Sequence, residues 1–374
     1  MDLGFFTMPM HPMARNYPET LDEDREAIIL ADQLGFTEAF VGEHVTDLSE
    51  PISSSLLFLA SLVSDTKTIK LGSGTVNLPN NHPVAVAAQV AMLDNLLRGR
   101  FQFGIGPGGL KSDAEAFGNL DEDRTAMFVE SIDHILALWQ DKPPIVRDGK
   151  YWKIGMDRTY LPELGQGVML RPYQNRIPPI FATVVAPYSK GIVSAAERGW
   201  LPVTGDMLQP VWQATHWPMY EKGCRNAGRM ADRLNWRVAL NIFVADDMET
   251  ARRYAGDVDG PYGQRWDQLR TRLRFNGRME IFKADLKMPD DQVTTQYILD
   301  SLTLYGTPEI IAEKILARHD ALGGFGTLLY VGADWADPRL ARRSMELMAT
   351  KVMPLVNAAL GERAEQAMRE RVAV

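Results

Sequence analysis

The segment from Ile69 to Gly109 constrains the fold more than any other part of the chain. Ile69, Leu71, Thr75 and Val76 belong to one apolar run, and His82-Pro83 then opens a helix. Proline suits a first helical turn because its missing N–H has no intrahelical partner there. Val86, Val90, Leu93 and Leu97 recur at helical spacing, as a helix packed on a sheet requires. Gly99 stops that helix, Phe101, Phe103 and Ile105 form the next strand, and a glycine-rich loop follows from Gly106 to Gly109. Strand, helix and strand in this order make one parallel crossover unit. In barrels built from such units the loops after the strands carry the chemistry, which singles out residues 77–82 and 106–112.

The rest of the chain repeats this alternation. Candidate strands lie at 3–8, 38–41, 69–76, 101–105, 179–185, 201–204, 236–244 and 326–331, with helical periodicity between nearly all of them. Eight strand–helix alternations predict an α/β protein, a (β/α)8 TIM barrel, formed as a single domain over residues 1–374. Two insertions interrupt it. Residues 141–177, after the fourth strand, contain Asp148-Gly149 between Ile145-Val146 and Tyr151-Trp152, which reads as a hairpin turn. Residues 257–303, after the seventh strand, are rich in charge and aromatic side chains, and a connection of that length suits a lid, an interface element or a solvated helical insertion.

Composition narrows the function classes. With 45% hydrophobic and 24% charged residues, the chain reads as an ordinary globular protein. A net charge of -8 and the absence of a basic block argue against a nucleic-acid or anionic-membrane partner. One cysteine, Cys224, excludes an internal disulfide and a cysteine-rich metal site and fits a reducing compartment. No secretion-type N-terminal pattern and no apolar segment of membrane-spanning length occurs, so the expected location is cytoplasmic.

Glu43 and His44 directly follow the apolar strand 38–41, which puts both at the expected catalytic rim. His44 reads equally as a general base or hydrogen-bond donor and as a histidine held by a neighbouring carboxylate. His82, before Pro83, reads as a residue that holds its loop. The six histidines show no metalloenzyme spacing, so no metal is expected. Ser189, Lys190 and Gly191 open the helix after the fifth strand, either as an anion seat or as an ordinary serine cap. The Gly104–Gly109 run is not a dinucleotide fingerprint, because Pro107 interrupts it. No Gly-Xaa-Ser-Xaa-Gly turn occurs and the only thiol, Cys224, lies in a polar helical insertion, so a phosphate-bearing cofactor is the expected source of reactivity.

Several motifs in order carry a resemblance. They are Gly35-Phe36, Gly42-Glu43-His44, Leu78-Pro79-Asn80-Asn81-His82-Pro83, Leu93-Asp94, Gly99-Arg100-Phe101, Phe103-Gly104-Ile105-Gly106, Ala195-Ala196-Glu197-Arg198-Gly199 and Tyr305-Gly306-Thr307-Pro308-Glu309. Spread over almost the whole chain, they resemble the bacterial luciferase-like flavin monooxygenases, and most of all members labelled limonene-type monooxygenases. The resemblance implies a two-component enzyme in which a separate NAD(P)H-dependent flavin reductase delivers reduced FMN. O2 then forms a C4a-peroxyflavin that oxygenates a small apolar or heteroaromatic substrate. It also implies a homodimer, His44 as a base or stabiliser, and a flavin platform at Gly74, Thr75 and Asn77 with Gly106 beside it. The platform segment often contains a non-proline cis peptide in that family. Ser189, Lys190 and Gly191 stand near the family's phosphate contacts without matching them around Pro187-Tyr188. Pro107 stands where luciferase has a basic residue, and Gly106 where it has a cysteine. Tyr262 and Trp266 are the expected lid residues, with Glu43 and His82 lining the substrate side. A deazaflavin-dependent oxidoreductase on the same barrel and a non-catalytic flavin-binding protein are the alternative readings.

Overall fold

A computed structural model describes residues 1–174 and 177–372. The eight long strands are β1 (Asp2–Thr7), β2 (Glu38–Val41), β3 (Lys70–Ser73), β4 (Phe101–Gly106), β5 (Ile180–Val184), β6 (Leu201–Thr204), β7 (Arg237–Val244) and β8 (Thr327–Val331). Their order and parallel pairing are those of a closed (β/α)8 barrel. Parallel strands in such folds are buried on both faces and read as continuous apolar runs. β7 obeys this rule, with every residue after Arg237 buried.

The described residues group into two compact units, Phe40–Thr183 and the remainder, Met1–Ala39 with Val184 onward. In the first, β4 pairs with β3 through Leu71 and Phe101 and with β5 through Phe103 and Ile180. The strand expected over 69–76 ends at Ser73, Gly74-Thr75 is a cis peptide, and a two-residue strand at Val76–Asn77 resumes the pairing with β4. The helices of this unit are α1 (Ser55–Ala60), α2 (Pro83–Leu96), α3 (Lys111–Ala116) and α4 (Arg124–Gln140). α2 starts as its sequence signals require, with Pro83 at its first position and His82 as N-cap. Trp139 on α4 donates its indole N–H to the Ala87 carbonyl of α2 at 3.1 Å. The hairpin of insertion 141–177 pairs Val146–Asp148 antiparallel with Lys153–Gly155.

In the second unit, β8 joins β1 to β7, with Phe5 opposite Tyr330 and Leu240 also opposite Tyr330. Thr303–Gly306 adds a short parallel strand to β7. Insertion 257–303 is not a solvated appendage. Its helix Pro261–Phe275 buries Tyr262, Arg265, Trp266 and Leu269, one apolar-facing stripe at helical spacing, and Phe243, Tyr254 and Phe282 pack in the same core. No helix among the described residues is long and apolar enough to cross a membrane.

Candidate active site

The loop after β2 is tied down by Glu43. Its carboxylate accepts the Ser55 backbone N–H at 2.8 Å, the Ser55 hydroxyl at 2.7 Å and the Asn77 backbone N–H at 2.9 Å. The Asn77 side-chain amide returns a bond to the Glu43 carbonyl at 3.2 Å. Burial raises the Glu43 carboxyl above its usual range, against the lowering pull of these hydrogen bonds and of His44. Glu43 therefore joins the loops after β2 and β3 rather than presenting a free carboxylate.

His44, with a side chain only 10% exposed, lies between two acidic groups. Nδ1 is 3.1 Å from Asp113 Oδ2, and Nε2 is 3.1 Å from Glu50 Oε2. Asp113, in the first turn of α3, also accepts the backbone N–H of Val45 at 3.1 Å and of Thr46 at 2.8 Å, and the Thr46 hydroxyl at 2.6 Å. Burial alone pushes this carboxyl up; the bonds from His44, Thr46 and Val45 outweigh it and hold Asp113 down at about 2. The structure holds His44 beside carboxylates, at the rim position the sequence indicates.

The expected flavin platform comes together locally. The Thr75 hydroxyl reaches Asn77 Oδ1 at 3.4 Å, and Asn77 sits opposite Gly106 in the strand pairing. A Cβ at Gly106 would stand 2.7 Å from Thr75 Oγ1, so the close approach of β4 to this segment requires glycine. Beyond it, the half-buried guanidinium of Arg124 donates to the Pro107 carbonyl at 2.6 Å, to Asn80 Oδ1 at 3.2 Å and to Asn119 Oδ1. Burial pulls this group below its ordinary value, with the Asp113 charge opposing the shift. All of its hydrogen-bond partners among the described residues are uncharged oxygens. A side chain at Gly108, whose φ is +76°, would meet Arg124 Nη2 at 2.6 Å. Arg124 therefore brings a cation to this loop, although Pro107 itself carries no charge.

Sequence reasoning missed Asp113, Glu50, Arg124 and Asn119, and it met Asn80 only as part of the Leu78–Pro83 motif. Asp113 is 69 residues from His44 and Arg124 is 44 from Asn80, so no local spacing announces either partnership.

The remaining expected residues are placed elsewhere. His82 is exposed, and its Nδ1 accepts the Val84 N–H at 3.3 Å, which caps α2. Ser189, Lys190 and Gly191 belong to the other compact unit, at the start of the helix Lys190–Glu197, where Ser189 makes no side-chain cap bond. Tyr262 and Trp266 depart from the expected lid. Tyr262 donates to the Ile242 carbonyl at 2.5 Å and Trp266 to the Thr303 hydroxyl at 2.8 Å, and both are fully buried. Each would have to leave the core to gate a site, because the helix turns its aromatic stripe inward. A cleft of about 570 Å³ beside Asp123, Glu130, His134 and Gly149 lies between α4 and the hairpin.

The luciferase-like monooxygenase family profile matches residues 1–323. The chain is 32% identical over 371 residues to limonene 1,2-monooxygenase of Rhodococcus erythropolis, covering 97% of this chain and 88% of that one. It is 31% identical over 388 residues to 4-hydroxyprotoasukamycin monooxygenase of Streptomyces nodosus subsp. asukaensis, covering 100% and 99%. Among solved structures, the FMN complex of the oxygenating constituent of 3,6-diketocamphane monooxygenase from Pseudomonas putida, a type II Baeyer–Villiger monooxygenase, superposes with a TM-score of 0.85. Its identity is 27%, and 95% of this chain and 98% of that one are covered. The chain belongs to the luciferase-like monooxygenase family and is a flavin-dependent monooxygenase.

Proposed function

We propose that this protein is the oxygenase component of a two-component system that uses reduced FMN and O2 to oxygenate a small apolar or heteroaromatic substrate. The observation that carries the reading is Arg124. It is a half-buried cation among neutral oxygens at a glycine-bounded loop, beside the Gly74–Asn77 segment. Such a group is suited to a phosphate monoester, because guanidinium donors pair with its oxygens and the hydrogen-bond partners it would exchange are neutral oxygens. When bound, reduced FMN would supply the electrons that activate O2, one oxygen atom going to the substrate and the other leaving as water.

The chain's own residues then have separable tasks. Arg124 holds the phosphate, and Ser189, Lys190 and Gly191 offer a second helix-start site for anionic groups. Thr75, Asn77 and Gly106 supply a close-packed backbone surface for the ring, held in place by Glu43. His44, fixed by Asp113, is the candidate base or hydrogen-bonding group at the rim, acting once Nε2 turns from Glu50 toward the reacting groups. The resemblance of the oxygenating constituent named above supports a separate NAD(P)H-dependent reductase as partner. The homodimer is supported by α2, whose exposed residues Ala85, Ala88, Gln89, Met92, Asn95 and Leu96 carry no charge. A solvent face of that kind suits contact with a second copy.

The test mixes the purified protein with anaerobically reduced FMN, 18O-labelled O2 and a panel of terpenoid and heteroaromatic compounds. Incorporation of one labelled atom per product is expected. Turnover only with a reduced deazaflavin, without label in the product, would overturn the reading.

A further inference from the structure

A second charged cluster lies in the other compact unit, at the catalytic ends of β1 and β8. His11 is four residues beyond the last residue of β1, and Asp334 three beyond the last residue of β8. The loops after parallel barrel strands form the catalytic face, and β1 and β8 are paired neighbours. His11 is 3% exposed; its Nδ1 is hydrogen-bonded to Asp334 and its Nε2 is 3.2 Å from both oxygens of Asp24. Asp24 belongs to the helix Tyr17–Gln33, so one imidazole joins three segments.

The other groups that face this cluster are accounted for. Arg15 Nη1 donates to both Asp334 oxygens at 2.9 Å, and its Nη2 pairs with Glu23. The Tyr254 hydroxyl donates to the Asp334 carbonyl at 3.0 Å, and Tyr330 lines a cavity of about 20 Å³ beside Thr7 and Trp335. That space holds about one water. His11, Glu23 and Asp334 lie close enough to hold a metal ion, but Arg15 already bridges the two carboxylates. The protein supplies its own cations here.

We propose that His11 is a positioning residue that latches the loop 8–16 to the loop after β8, keeping water from the reaction at this end of the barrel. The proposal rests on the monooxygenase reading. Water must be excluded while a reactive oxygen species awaits substrate, or reduced flavin is spent on hydrogen peroxide. Burial alone would lower the His11 value, but the hydrogen bonds and charges of Asp24 and Asp334 raise it to about 9. The contribution of the histidine is lost as pH rises through about 9. Burial raises the Asp24 carboxyl to about 6, so the charged pair is complete between about pH 6 and 9.

The experiment measures hydrogen exchange in peptides covering 8–16, corrected for intrinsic rate, alongside product formed per hydrogen peroxide released. In the wild-type protein, loop protection should hold at neutral pH and fall as pH passes about 9. His11→Gln should lower protection about a hundredfold at neutral pH, as expected when a buried pair loses a partner, and remove the alkaline transition. It should divert turnover to peroxide while FMN affinity stays unchanged. Arg15→Gln, at a part-exposed site, should give a smaller loss of the same kind and serves if His11→Gln fails to fold. Wild-type protection in both variants overturns the latch itself, whatever reaction the enzyme catalyses. Lost protection with unchanged coupling overturns its part in excluding water.

Discussion

Asn77 and Glu43 bind each other twice, backbone N–H to carboxylate at 2.9 Å and side-chain amide to carbonyl at 3.2 Å. This reciprocal pair makes the loop after β2 and the segment after β3 one rigid piece, and it explains why a buried acid sits beside His44 without being a free base.

Removing that acid leaves buried donors on Asn77 and Ser55 without an acceptor. Glu43→Ala should destabilise the protein by about 2–4 kcal/mol, given roughly 1–3 kcal/mol for each unsatisfied buried group. Glu43→Gln, which keeps one acceptor oxygen, should lose about half as much. Urea unfolding midpoints measure both.

Acid should weaken the His44 loop through Asp113. Its folded value of about 2 is below the ordinary 3.8, so its stabilising contribution is present above about pH 4 and disappears as pH falls towards 2. The contribution is on the order of 1–2 kcal/mol. Wild type should lose this increment between pH 5 and pH 2 relative to Asp113→Asn; parallel stability curves for the two would refute the assignment.

Arg124→Gln should weaken binding of FMN by about 10–100-fold, the range expected for a lost charge-assisted hydrogen bond. Riboflavin, which lacks the phosphate, should bind both proteins equally. Flavin fluorescence titrations separate the two, and an equal loss for both flavins would show a damaged ring site instead of a phosphate contact.

His44→Asn, which keeps one donor toward Asp113, should lower stability but leave FMN affinity intact and reduce coupled product formation by about a hundredfold or more. Single-turnover assays with preformed reduced FMN measure the chemical step without the reductase. Unchanged coupled turnover would remove His44 from the chemistry.

Trp266→Ala should cost about 3–5 kcal/mol through the cavity it leaves, with the Thr303 hydroxyl losing its donor as well. The helix Pro261–Phe275 should already be protected from hydrogen exchange without flavin, because its aromatic stripe is core. A large gain of protection on flavin binding would restore the lid reading.

The sites differ in how visible they were in the sequence. The helix start at His82-Pro83 and the hairpin at Asp148-Gly149 are local events, and local signals located them. Insertion 257–303 misled because its arginines suggest a solvated face, while Tyr262, Trp266 and Leu269 recur on the opposite side of the same helix and enter the core. The apparent eight-residue third strand hid a break, because apolar character continues through Thr75 and Val76 while the backbone turns at Gly74.

By itself, the sequence determined the order of strands and helices, the barrel class and the rim position of Glu43 and His44. Hydrophobic periodicity and chain punctuation act over a few residues, and a parallel barrel is built from their repetition. Only the tertiary structure decided what those rim residues touch. Asp113 meets His44 across 69 residues of chain, Arg124 meets Asn80 across 44, and Asp334 meets His11 across 323. Electrostatic partnerships are set by proximity in space, and barrel closure brings together the ends of strands that the sequence keeps far apart.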